Sequence, residues 1–124
     1  LPSAHERVVE IAIVLPVFLM LIFGAIDVMQ LHATYASMLA GARDGARMLA
    51  LRSGTAAEAE QLTRSRLYGS GPYTIDTQTA DATSDDVAVA VSIPFDKATI
   101  TGVLGLVQDP LVVQVTMRAE PSAP

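Results

Sequence analysis

Two histidines, His5 and His32, are the only imidazoles in the 124 residues, and cysteine is absent. Thiol chemistry, disulfides, zinc fingers and iron–sulfur clusters are therefore excluded. Neither histidine has a serine–carboxylate or nucleophile–base partner at a catalytic spacing, and no His-x-x-x-His or Glu-x-x-His metal pattern occurs. The chain is expected to be no enzyme and to hold no cofactor and no metal. Acids cluster at Asp81-Ala-Thr-Ser-Asp85-Asp86, but their spacing is not that of an EF-hand loop, and a solvated turn accounts for them. Asparagine is absent, so there is no N-glycosylation acceptor.

More telling are two carboxylates in apolar surroundings. Ile11 to Ile26 is sixteen residues without a charge; extended to Val8 and Met29 it is 22 residues, interrupted only by Glu10 and Asp27. A bilayer core takes about 20 apolar residues as a helix, so the stretch is long enough to span. A lone carboxylate in hydrocarbon is costly and calls for a partner or protonation. Glu10 either sits hydrated at head-group depth or pairs with a cation of a neighbouring subunit, and Asp27 has the same two readings. Pro16 removes one amide donor inside the helix and crowds the carbonyl of Ala12, predicting a kink. Ala33, Ser37, Gly41 and Gly45 recur every four residues, a stripe of small side chains that allows close backbone approach. It packs on the chain's own sheet or on another subunit's helix.

The elements that carry these residues follow from pattern. A signal peptide fits poorly, with Arg7 the only base before the run and Asp27-Val-Met-Gln30 after it. A core helix in so small a protein is rarely apolar on every face. Gln30 to Arg52 lacks proline and is rich in Ala, Leu, Met and Arg, which extends one helix from about Arg7 to Arg52, closed by Ser53-Gly54. Thr55-Ala-Ala-Glu58 reads as a capping box opening a second helix, which stops before Gly69-Ser-Gly-Pro72. Val87, Val89, Val91 and Ile93 alternate with small residues, as do Leu111, Val113, Val115 and Met117, predicting strands; Tyr73 to Thr79 is a weaker third. Thr99 to Val107 reads as a short helix between strands, and Pro121–Pro124 as a loose tail. Three strands need cover on one face, and the second helix or the upper stem supplies it. The fold class is α+β: a long N-terminal membrane-spanning helix, a second shorter helix and a small antiparallel sheet. Residues 1–53 form the stem and 54–124 a helix-plus-sheet domain.

Charge divides the same way. Residues 1–53 hold four acids and four bases, whereas 54–124 hold nine acids and four bases, so the net −5 lies in the second part. That sign argues against nucleic acid as a partner. Arg43, Arg47 and Arg52 by themselves favour keeping the far end of the span inside.

The runs Val8-Val-Glu-Ile-Ala-Ile-Val-Leu-Pro-Val17, Phe23-Gly-Ala-Ile-Asp27 and Ala42-Arg-Asp-Gly-Ala-Arg47 resemble the TadE-like proteins of tight-adherence (Tad/Flp-type) pilus systems. Val91-Ser-Ile-Pro-Phe95 and Val115-Thr-Met-Arg-Ala-Glu120 are similar to that family's β part. The resemblance implies a minor pilin or pseudopilin, related in design to type IV pilins and active in pilus assembly and adhesion. It implies a bacterial inner-membrane location with the N-terminus cytoplasmic and the C-terminal part outside, possible passage into an extracellular pilus, and trimming by a prepilin peptidase. Glu10 then matches the acid five residues after the cleavage point, which pairs with a neighbour's new amino terminus. His5 stands where the family pattern has Gly. The implied partners are the lipid bilayer, other pilin subunits met through the N-terminal helix, and the inner-membrane pilus assembly machinery. A main repeating filament subunit and a membrane-tethered scaffold or binding module are the alternative readings.

Overall fold

A computed structural model describes residues 3–102 and 109–121. Helix α1 runs unbroken from Ala4 to Ala50, 47 residues, through Pro16. Its start is a reciprocal capping box: Ser3 Oγ accepts from the Glu6 amide at 3.2 Å, and Glu6 Oε2 accepts from the Ser3 amide at 3.2 Å. Each bond satisfies a donor the helix cannot.

The end of α1 falls two residues before the expected Arg52. Leu51 is the C-cap, and Arg52 takes the left-handed conformation, φ 53°. The Ser53 amide donates to Met48 O at 3.1 Å and the Arg52 amide to Leu49 O at 3.1 Å, a Schellman closure with arginine in the position glycine usually fills. A tertiary bond holds it there: Arg52 Nε donates to Glu120 O at 2.9 Å.

Helix α2 (Ala56–Arg66) opens on Thr55, whose Oγ1 accepts from the Glu58 amide at 3.2 Å. Only the hydroxyl half of the expected capping box forms. Strands β1 (Thr74–Gln78), β2 (Asp86–Ile93) and β3 (Leu111–Arg118) make an antiparallel sheet in the order β1-β2-β3. The register pairs Ile75 with Val91 and Val91 with Val113, so the apolar residues of all three strands share a face. That face buries Ile75, Val87, Val89, Val91, Ile93 and Val113 against Met38, Ala42, Ala46 and Leu49 of α1 and Ala59 of α2. The opposite face exposes Thr74, Asp76, Gln78, Gln114 and Thr116. Both helices thus cover the sheet, and the end of β3 is tied to the end of α1 by the Glu120 amide donating to Ala50 O at 2.8 Å.

The helix expected at Thr99–Val107 is corrected. A four-residue helix α3 lies earlier, at Phe95–Ala98, and Thr99 is already extended. The amides of Ile100 and Thr101 donate to Asp27 rather than to helical carbonyls, which accounts for the change. Residues 103–108 and 122–124, the rest of that expectation and of the expected loose tail, lie outside the described residues.

A membrane stem and its junction with the domain

From Ala4 to Ile26 every residue of α1 except the partly covered Gly24 is exposed. The exposure is apolar all round: Ile13 is 67% exposed, Leu21 68% and Phe18 56%. No residue in the most apolar 18-residue stretch is buried inside the chain. A core helix of a soluble protein buries such a stretch, and this one does not. The same helix continues for 24 residues past Ile26 and there builds the core, so the span is structurally continuous with the domain. From Val8 to Met29 the rise is about 33 Å at 1.5 Å per residue, close to the roughly 30 Å hydrocarbon thickness. The helix is a candidate membrane span, and the class of protein is an α+β protein carried on a single apolar stem.

Glu10 lies on this bare part, exposed, and makes no hydrogen bond or ion pair among the described residues. Pro16 lies in it too, without ending the helix. Asp27 differs from both of its expected readings. It is 0% exposed, and its partners belong to its own chain. Oδ1 accepts from the amides of Ile100 at 3.1 Å and Thr101 at 2.8 Å, and Oδ2 accepts from Thr101 Oγ1 at 2.6 Å. Three donors replace the water a buried carboxylate loses.

The small-residue stripe turns to the chain's own second helix. Gly41 and Gly45 are buried. A Cβ on Gly41 would stand 2.9 Å from Thr63 O, and one on Gly45 would collide with Thr63 Oγ1 and stand 3.2 Å from Ala59 O. Thr63 is fully buried, its hydroxyl 2.8 Å from Ala59 O and 3.1 Å from Gly41 O. Ser37, on the same stripe, donates to Thr34 O at 2.8 Å and accepts from the Tyr68 amide at 3.0 Å. Ala33 is half-buried. Beside them the Tyr73 hydroxyl donates to Tyr68 O at 2.6 Å. Burial pushes the Tyr73 pKa up, against the opposing pull of the Thr34 and Ser37 side chains. An exposed ion pair, Arg66 Nε to Asp44 Oδ2 at 3.2 Å, closes the α1–α2 contact.

Sequence reasoning did not find Thr63, Thr101 or Tyr73. Thr63 follows Ala59 by four residues, so the buried face of α2 was open to helical periodicity. Nothing local marks Thr101, which lies 74 residues from Asp27. Among the described residues no three His, Cys, Asp or Glu side chains gather as metal ligands. The acids at 81–86 form a turn: Asp81 Oδ1 accepts from the Thr83 and Ser84 amides at 2.8 and 2.9 Å and from Thr83 Oγ1 at 2.7 Å. Those bonds, led by the Thr83 hydroxyl, hold the Asp81 pKa below its ordinary value.

Residues 8–47 match the family model described as TadE-like protein. The likeness carried by the sequence motifs thereby extends over α1 from Val8 to Arg47, the bare span and most of the packed half together. No curated protein and no solved structure matches the chain.

Proposed function

We propose that this chain is a pilin-like structural subunit of a tight-adherence pilus system, a minor pilin or pseudopilin that acts in pilus assembly. One observation carries the reading: a TadE-like helix whose first half is apolar and uncovered on every side, while its second half is the spine of a folded domain. Such a stem is at home in lipid and equally in a bundle of like helices, because both present apolar surroundings. It can therefore pass from one to the other without refolding the domain. The N-terminus is cytoplasmic and the α/β body extracytoplasmic, as the family resemblance implies. The partners are other pilin subunits and the inner-membrane assembly machinery.

Glu10 is the polar exception on the bare face, and its role is to pair with a cationic group of a neighbouring subunit. The test is to replace Glu10 with Ala and compare membrane insertion with surface pilus number. Insertion is expected to stay intact while pili decline. Wild-type pilus counts would remove the pairing role. Immunogold labelling of sheared appendages tests the reading itself. Label at filament ends fits a minor subunit, and label along the length fits a main subunit. Label confined to the envelope, with pilus number unaffected by deletion, leaves a membrane-tethered module.

A further inference from the structure

The bare surface does not stop at Asp27. Ile26 is 38% exposed, Val28 57% and Met29 72%, and on the segment bonded to Asp27, Ile100 is 66% exposed. Four uncovered apolar side chains thus stand at the level of one fully buried carboxylate. Ile26, Val28 and Met29 carry the exposed apolar run of the span past Asp27, and Ile100 stands at the same level. An exposed isoleucine has no use in water at this position, and a carboxylate at this depth needs its donors brought to it. The segment after α3 does both: it supplies two amides and a hydroxyl to Asp27, and it carries Ile100 outward beside them. Ala98, just before it, is buried in the core cluster and ties the segment to the domain.

We propose that residues 99–101 are a second membrane contact, held at the lipid interface by Asp27, with Ile100 entering the acyl–head-group boundary at the level of Val28 and Met29. The occupant of this surface is the bilayer that the stem spans, and the proposal rests on that membrane reading. The domain is then seated on the membrane without a free neck. Asp27 serves as the clasp and is masked from lipid by its donors.

The absence of cysteine makes the test direct, since any introduced thiol is unique. Three single variants of the full chain, Leu19→Cys, Ile100→Cys and Thr116→Cys, are labelled with a nitroxide and placed in phosphatidylcholine–phosphatidylglycerol vesicles. Collision with oxygen is compared with collision with a water-soluble nickel chelate. Thr116, on the open sheet face, sets the aqueous value; Leu19 reports the span. The expected result is a label at position 100 that favours oxygen, between the other two, and that moves to the value at 116 when Asp27→Ala is added. A label at 100 as accessible to nickel as that at 116, with the label at 19 still lipid-protected, overturns the interfacial contact and leaves the span standing. A label at 19 open to nickel overturns the membrane reading and the proposal with it. Because Asp27→Ala removes an acceptor for three donors and can unfold the domain, Thr101→Val is run in parallel. It deletes the hydroxyl bond and keeps the two amide donors, and it should shift the label at 100 part of the way toward water; no shift in a folded Thr101→Val protein also counts against the clasp.

Discussion

Gly45 lies where α1 and α2 come closest, and replacing it by alanine separates two accounts of the small-residue stripe. In isolation the change favours the helix by about 0.8–1.0 kcal/mol. In place, the new methyl meets Thr63 Oγ1, with Ala59 O at 3.2 Å and Val89 Cγ2 at 3.4 Å. Thr63 cannot turn away freely, because its hydroxyl is bonded to Ala59 O and Gly41 O. Overpacking of this kind costs about 1–3 kcal/mol, and a displaced hydroxyl loses about 0.5–1.5 kcal/mol of hydrogen bonding. The net expectation for Gly45→Ala is a loss of about 1–2 kcal/mol. Thr63→Ala alone loses about 1 kcal/mol. With the hydroxyl gone, the collision is removed and the remaining 3.2 Å approach to Ala59 O is set against the gain in helix propensity, so the double variant should be about as stable as Thr63→Ala. The coupling is then about 1–2 kcal/mol, well beyond the 0.3–0.5 kcal/mol scatter of independent sites.

Pulse proteolysis of the full chain in detergent, across a urea series, reads the domain without reporting the stem. For an m-value of about 2 kcal/mol/M, the single variant should lose roughly 0.5–1 M of midpoint. Additive losses, or a Gly45→Ala protein more stable than wild type, would refute the close contact with Thr63. If the stripe instead served a neighbouring copy, the midpoint would hold and cross-linking between stems would fall.

Tyr73 should ionise above the ordinary tyrosine value in a spectrophotometric titration compared with Tyr73→Phe, because burial raises its pKa. Below about pH 10, the ordinary tyrosine value, both folded and unfolded states keep the proton. Above it the unfolded state ionises first, so stability is lost as pH rises through the folded pKa. Tyr73→Phe should abolish that alkaline loss and, by deleting the bond to Tyr68 O, cost about 0.5–1.5 kcal/mol at neutral pH; an unchanged alkaline slope would count against the burial argument. Asp81 should titrate below the ordinary aspartate value in a carbon-detected NMR series, since its hydrogen bonds favour the ionised form. The bonded turn is therefore present above the ordinary aspartate pKa and lost as pH falls through the lowered one. Thr83→Ala should move the titration back up.

The stem, both helices and the alternating strands were legible because each is written locally, in an uncharged run, in capping residues or in period two. The exceptions share a cause. Arg52 adopts a backbone conformation that arginine avoids, and Glu120, 68 residues away, supports it. Asp27 read as an interfacial or inter-subunit acid because its donors are 73 and 74 residues distant. The stripe at Gly41 and Gly45 was visible, but its partner was not, since a sequence of glycines states only that something comes near. The Ser3–Glu6 capping box shows the other kind of miss. Its signal was present three residues apart, but lay outside the apolar pattern that drew the helix boundary at Arg7.

A single helix is bare over one half and packed over the other, and the change between them occurs within one turn. Up to Ile26 only Gly24 of the described α1 residues is even partly covered; from Asp27 onward one face is claimed by the connection, then by α2 and the sheet. The uncovered part has no preferred side, so it does not dictate which helix packs against it, whereas the covered part packs on Thr63 and Ala59 of α2 and on the buried face of the sheet. Exchange of surroundings, which the proposed pilin role requires, and a fixed domain orientation are opposing demands on a stem, and this division of α1 is compatible with both. The carboxylate at the boundary is what keeps them apart. Asp27 ties the connection where the bare part of α1 gives way to the packed part, so stem and domain meet through a clasped helix instead of a free neck.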